Sequence, residues 1–235
     1  MNQAAKSLMD RLSIHLENYG FRAKKGFDGI NFKKREKFGF FELTITFFNV
    51  QLEEEYTVFR PLVCVRHDRL DNIVNQLGHI WGTANRKRTT TVCRSLELFP
   101  FVAERDRPQT IRNAHRDADT ALATENILMM LQQDGFAFFD RYSCIDECAS
   151  GLNQPICTLT HPLLNNLPLR AYYGVAAAAL TRPHSVAGLM KEYLEYIRVS
   201  GVIDPLQYEF GKSNGGIDGI EQRLKKIVEL AVEAS

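Results

Sequence analysis

The feature that most limits what this chain can fold into is a change of period between Met1 and Arg66. Leu8, Leu12, Leu16 and Tyr19 recur at helical spacing. After Gly20 the pattern turns to alternation, with Phe41, Leu43, Ile45 and Phe47 on one side of an extended run. Helical spacing gathers side chains on one stripe, and alternation gathers them on one face of a strand. The apolar surface is therefore buried by a helix followed by antiparallel strands.

The first helix is expected from Ala4 to Tyr19. Gly20 supplies the left-handed residue that ends it, and Phe21 folds back over the last turn. Asp28-Gly29 suits a tight hairpin turn, and Lys37-Phe38-Gly39 is a second turn. The strand Phe40 to Val50 carries Phe40, Glu42, Thr44, Thr46 and Phe48 opposite its apolar side, which predicts a sheet with one dry and one wet face. Tyr56 to Arg66 returns as another strand, and Pro61 within it predicts an edge or a bulge. Asp68 then reads as an N-cap, with Asp71 three residues on, for a helix with Leu70, Ile73, Val74, Leu77 and Trp81 as its stripe. Thr91 to Phe99 is a further strand, ended by Pro100.

The charged stretch Ala103 to Pro108 is the expected boundary. Beyond it a long helix runs through Ala118, Leu122 and Leu131 and stops near Gly135. Ser143 caps a short helix. Leu169 to Leu180 and Val186 to Ile197 form a helical hairpin with Pro183 where its second helix begins. A final helix opens at Asp218, with Glu221 as capping-box partner. The expected fold is α+β: an antiparallel sheet of about four or five strands in the N-terminal half, packed against a helical C-terminal half. The two regions are 1–104 and 105–235, packed as one compact unit.

A chain of 235 residues buries a sizeable core without disulfide or metal staples. The formal charge of +1 excludes a global field that would draw the protein to nucleic acid or anionic lipid. Charge is uneven, however: Met1 to Lys37 holds nine Lys and Arg against four Asp and Glu, which marks a local basic face. Five cysteines without a paired framework fit a reducing cytoplasm. No export signal is visible, and Val175 to Leu180 is far too short to span a bilayer.

Cys144, Cys148, Cys157 and His161 are spaced Cys-x3-Cys-x8-Cys-x3-His. Three thiolates and one imidazole form an accepted structural zinc set. The competing reading is that these are small apolar core groups. Cys64 lies three residues before His67, but a strand cysteine among apolar neighbours is ordinarily inert packing. Gly211-Lys212-Ser213 resembles the end of a phosphate loop, yet Leu206 stands where its first glycine belongs and Asn214-Gly215-Gly216 follows. His115 and Asp119, with Arg112 and Arg116 beside them, form a potential proton-shuttling couple or a solvated helix face. Lys24, Lys25, Lys33, Lys34, Arg35 and Lys37 surround a hairpin that also holds Phe27 and Phe32, and Arg86, Lys87 and Arg88 extend the basic set. Such a surface suits nucleic acid, although strand-edge lysines also block unwanted strand pairing.

The order helix, Tyr19-Gly20-Phe21-x-x-Lys24-Lys25, Phe32-Lys33-Lys34-Arg35, then an aromatic alternating strand, resembles the opening of small bacterial domains of unknown function. Gly135-Phe136-Ala137-Phe138-Phe139-Asp140 before Ser143, and the hairpin through Tyr193-Leu194, are similar to the same domains. The resemblance implies a bacterial origin and an N-terminal helix leading into an antiparallel sheet. Some such proteins resemble immunity proteins, which act by binding.

These readings lead to a cytoplasmic, non-catalytic protein-binding module. Its contact surface is the wet face with Phe40 and Phe48, or the basic hairpin. No cofactor is expected, with a structural zinc at the cysteine set as the alternative. The rivals are an enzyme with a cleft between sheet and helices, lined by residues such as Tyr142, His161 or Arg170, and a nucleic-acid binder using residues 22–37 with Arg86, Lys87 and Arg88.

Overall fold

A computed structural model describes residues 3–25, 29–51, 55–77, 89–96, 110–112, 116–201 and 216–234. Helix α1, Gln3–Leu16, turns Leu8, Leu12 and Leu16 fully inward. A 3-10 turn, Glu17–Tyr19, ends on Gly20 at φ +81°, a left-handed conformation that glycine adopts at little cost. The Phe21 amide then bonds back to the Leu16 carbonyl at 3.1 Å, which is the expected fold-back.

Six strands follow: β1 Arg22–Lys25, β2 Gly29–Glu36, β3 Gly39–Gln51, β4 Glu55–His67, β5 Val92–Ser95 and β6 Thr110–Arg112. Their order is β1-β2-β3-β4-β5, and β6 also pairs with β4. The fold is α+β, as expected. The sheet has six strands because the three-residue β6 is too short to show a period in sequence. Glu36 pairs with Gly39, so Lys37 and Phe38 close the second hairpin. Asp28 lies outside the described residues, although β1 and β2 pair on either side of it.

Pro61 is not at the sheet edge. β6 pairs with Tyr56 to Val58, while the Leu96 amide bonds to the Pro61 carbonyl and the Thr91 amide to the Val65 carbonyl. Pro61 therefore lies where β4 passes from one partner to the next, a place that tolerates a residue without an N–H.

On the dry face, Ile30, Phe32, Leu43 and Ile45 are buried. Phe41 stacks on Phe139 with ring centroids 4.8 Å apart, and Phe21 lies 5.7 Å from the same ring. Phe139 comes from a helix that does not stop at Gly135. Helix α3, Arg116–Met130, passes through a π-helical turn, Leu131–Gly135, into α4, Phe136–Tyr142. Gly135 is there for close packing, since a Cβ on it would lie 2.5 Å from Leu131 Cδ1.

The remaining helices are α2 Asp68–Asn75, α5 Ile145–Leu152, α6 Leu167–Thr181, α7 Val186–Ser200 and α8 Ile217–Glu233. Three expected caps are displaced. His67, Cys144 and Gly216 occupy the cap positions of α2, α5 and α8, none with a capping side chain. Asp68 and Asp218 lie inside the first turn, where a carboxylate still favours the positive helix end. Helix α6 is buried almost all round, as suits a central helix, and packs against α2, α5, α7 and α8. The Asn166 side chain caps it by accepting from the Leu169 amide at 2.9 Å.

Two compact units result. One comprises Met1–Cys64 with Arg94–Asp140, the other Val65–Cys93 with Arg141–Ser235. The boundary expected at Ala103 to Pro108 lies outside the described residues. Among the described residues no helix is long and apolar enough to cross a membrane.

Candidate functional site

Strand alternation decides which basic residues share a surface. β1 pairs Arg22 with Lys33 and Lys24 with Asn31. β2 pairs Lys33 with Glu42 and Arg35 with Phe40. Paired residues point the same way from the sheet. Arg22, Lys24, Lys33 and Arg35 thus stand on the face that carries Phe40, Glu42, Thr44, Thr46 and Phe48. Arg60 joins them from β4, its guanidinium 4.9 Å from the Phe48 ring. Lys34 does not belong to this face. It pairs with Glu36 at 3.0 Å and leans toward Phe41 on the other side. Adjacency in the run Lys33-Lys34-Arg35 is therefore split in space.

The wet face is not open throughout. Lys33 Nζ lies 3.5 Å from the Phe40 ring centroid and 3.0 Å from Glu42 Oε2. Phe40 is left only 2% exposed beneath it. Phe48 is half-buried, whereas Arg22, Lys24 and Arg35 are exposed. The Lys25 side chain, Phe27, and Arg86, Lys87 and Arg88 lie outside the described residues. Arg22 and Arg60 are the members that sequence reading missed. The β1–β2 register reveals Arg22 by setting it beside Lys33, and the contact with the Phe48 ring reveals Arg60.

The zinc set does not assemble. Cys144 precedes α5 with extended backbone, so the one-turn spacing to Cys148 no longer places both thiols on one helix face. Cys144 and Cys157 are exposed. Cys148 is buried, its thiol directed at the Tyr142 carbonyl (3.5 Å), and burial pushes its pKa up to about 12. His161 Nδ1 accepts from the Leu163 amide at 3.2 Å, so Nε2 carries the proton toward the Gln154 carbonyl. Burial first, and the charge of Arg170 second, hold its pKa below 6.5. Among the described residues no group of three or more His, Cys, Asp or Glu side chains is placed to hold a metal ion.

The other candidates for chemistry are turned inward. His67 is buried and donates Nε2–H to the Tyr142 carbonyl at 2.8 Å, and burial lowers its pKa. Cys64 is buried. Asp119 accepts two bonds from the Arg112 guanidinium, at 2.8 and 2.9 Å, which ties α3 to β6 rather than poising a proton. His115 and Gly211-Lys212-Ser213 lie outside the described residues. Arg170 is fully buried and donates through Nη2 to the Ile156 and Thr158 carbonyls, both at 2.8 Å. It thereby fixes the segment before His161. Tyr142 is buried and sits beside Gly151.

A second group was not legible as a site. Asp71 is fully buried on α2. Its Oδ1 accepts from Thr89 Oγ1 at 2.5 Å and from the Tyr173 hydroxyl at 2.8 Å, and its Oδ2 from Thr91 Oγ1 at 2.6 Å. Arg66 Nη1 approaches Oδ1 at 3.5 Å, while Arg66 Nε binds Asp68 at 2.7 Å. Burial pushes the Asp71 carboxyl up, against the pull of Arg66 and the three hydroxyls. Such a saturated network fixes a unique core arrangement.

No protein-family model, no curated protein and no solved structure matches this chain.

Proposed function

We propose that this protein is a non-catalytic binding module, and that its partner is another protein with an acidic surface. The contact face is the outward side of β1 to β4, carried by Arg22, Lys24, Lys33, Arg35 and Arg60. The single supporting observation is the contrast in placement. The thiols and imidazoles at Cys148, His161 and His67 and the carboxylate of Asp71 are buried and bonded within the chain, whereas Arg22, Lys24 and Arg35 stand exposed on one side of a sheet. Five cations around one carboxylate attract a partner of opposite sign and set its orientation.

The burial of Phe40 under Lys33 favours protein over nucleic acid. Sequence-tolerant binding of single strands uses exposed rings on which bases stack, and here Lys33 takes that position. Cysteines that form no disulfide fit a bacterial cytoplasm as the setting.

The test is capture from extract of the source cell by the tagged chain, beside the triple variant R22E/K24E/R35E. The reading requires a stoichiometric protein partner that the wild type retains and the variant loses, with the circular dichroism unchanged. Equal retention by both chains overturns the contact face. Binding of a single-stranded oligonucleotide, falling steeply with salt, overturns the choice of partner.

A further inference from the structure

The second unit carries an open groove of ≈ 590 Å³ lined by Ala187, Met190, Lys191, Leu194, Glu195 and Arg198 of α7 and by Glu221 of α8. The α7 residues follow helical spacing, so they form one straight stripe along that helix. Its lining combines the apolar Ala187, Met190 and Leu194 with the charged Lys191, Glu195, Arg198 and Glu221. The buried residues of α7, Val186, Tyr193 and Ile197, form a different stripe. The groove is thus a second apolar seam on a helix whose first seam is already satisfied.

The charges show what fits. On α8, Glu221 precedes Lys225 by one turn and the two pair at 2.7 Å. On α7 the order is reversed, Lys191 before Glu195, which is the less favourable arrangement within a helix. No ion pair joins them or ties either to another described residue. Each is exposed and available to a group across the groove.

We infer that this groove docks a second copy of the chain, α7 against α7 in antiparallel, two-fold symmetric fashion. A pairing centred at the level of Tyr193 sets Lys191 opposite Glu195 of the second copy, and the two-fold repeats that pair. Leu194 of each copy then lies level with Glu192 of the other, about 3 Å along the axis from its own mate. The Arg198 side chain of each copy reaches the level of Gly188 in the other, where no atom lies within 4 Å of the position of a Cβ. A self-complementary patch of this kind is what a two-fold interface requires. The proposal is independent of the binding face on the sheet.

Sedimentation velocity of the full chain over a range of concentrations tests it. The wild type is expected to show a reversible dimer. K191E and E195K, each placing like charges together twice, should weaken it by roughly tenfold or more. The swapped variant K191E/E195K should restore it. Both residues are exposed, so the folds are expected to persist, with circular dichroism as the check. A wild type that stays monomeric throughout overturns the proposal, whether residues 202–215 or a different partner fill the groove. A dimer indifferent to K191E, or one that the swap fails to restore, overturns it equally.

Discussion

The Tyr173 hydroxyl donates to Asp71 Oδ1 at 2.8 Å, so a residue of α6 closes over a carboxylate that lies 102 positions earlier in the chain. That bond completes the set made by Thr89, Thr91 and Arg66, all in the second unit. Removing one neutral donor of a buried acceptor that keeps its other partners is expected to cost about 1–2 kcal/mol, so Y173F should lower the urea midpoint modestly. D71A should cost about 3–5 kcal/mol, because Arg66 stays buried without its second carboxylate. In a double-mutant cycle with D71N, Y173F should show clear coupling. Additive effects of the two substitutions would mean that the bond contributes nothing.

Acid should weaken the second unit first through its histidines. Burial depresses His67, against the opposing pull of the Tyr142 carbonyl and of Asp71 and Asp68. Burial, then Arg170, depresses His161. In the unfolded chain both rings protonate near the ordinary value of 6.5. Between 6.5 and the depressed folded values the unfolded chain holds the extra protons. Stability is therefore full above 6.5 and falls as pH drops through that window. Asp71 acts in the opposite sense. Its raised carboxyl takes up a proton in the folded chain before it does so in the unfolded one, which partly offsets the loss. Urea midpoints measured on either side of pH 6.5 should decline toward acid, and H67Q should flatten that slope. Equal slopes in the two chains would remove His67 as the cause.

Local rules made much of the fold readable. Leu8, Leu12 and Leu16 mark α1, Gly20 the end of the 3-10 turn that follows it, and Phe41, Leu43 and Ile45 the dry face of β3, each within a few residues of sequence. What failed depended on distant residues. Lys33, Lys34 and Arg35 are neighbours in the chain but occupy opposite faces, and Arg22 joins Lys33 only through strand pairing. Cys144 and Cys148 have helical spacing, but the helix starts after Cys144. Asp71 looked like a capping partner. Its actual signal was its place among Leu70, Ile73 and Val74, within the apolar arc of α2, where a carboxylate needs buried donors. Nothing in sequence indicated that Thr89, Thr91 and Tyr173 would supply them.

Thiol reactivity should follow burial rather than sequence spacing. Thiolate is the reactive form, and Cys148, with its pKa near 12, exposes almost none of it. Native alkylation read by peptide mass spectrometry should label the exposed Cys144 and Cys157 early and the buried Cys64 and Cys148 only after denaturation. Added zinc should leave that order unchanged, since these groups do not converge. Zinc protection of Cys144 and Cys157 together would reinstate the metal reading.

Gly174 shows how tightly α5 and α6 are locked. The Asn153 side chain donates to the Gly174 carbonyl at 3.0 Å, and the single Tyr193 hydroxyl proton is shared between Asn153 Oδ1 at 2.9 Å and the Leu152 carbonyl at 3.0 Å. One amide thus joins the end of α5, the middle of α6 and the buried stripe of α7. A Cβ on Gly174 would overlap Asn153 Oδ1. The amide cannot withdraw without giving up both of its bonds, so G174A should cost about 1–3 kcal/mol although alanine is the better helix former. N153A removes the obstruction along with the bonds, and G174A added to N153A should then cost far less than it does alone. That non-additivity is the discriminating measurement in chemical denaturation. Equal costs of G174A in the two backgrounds would show that the amide is not what the methyl group meets.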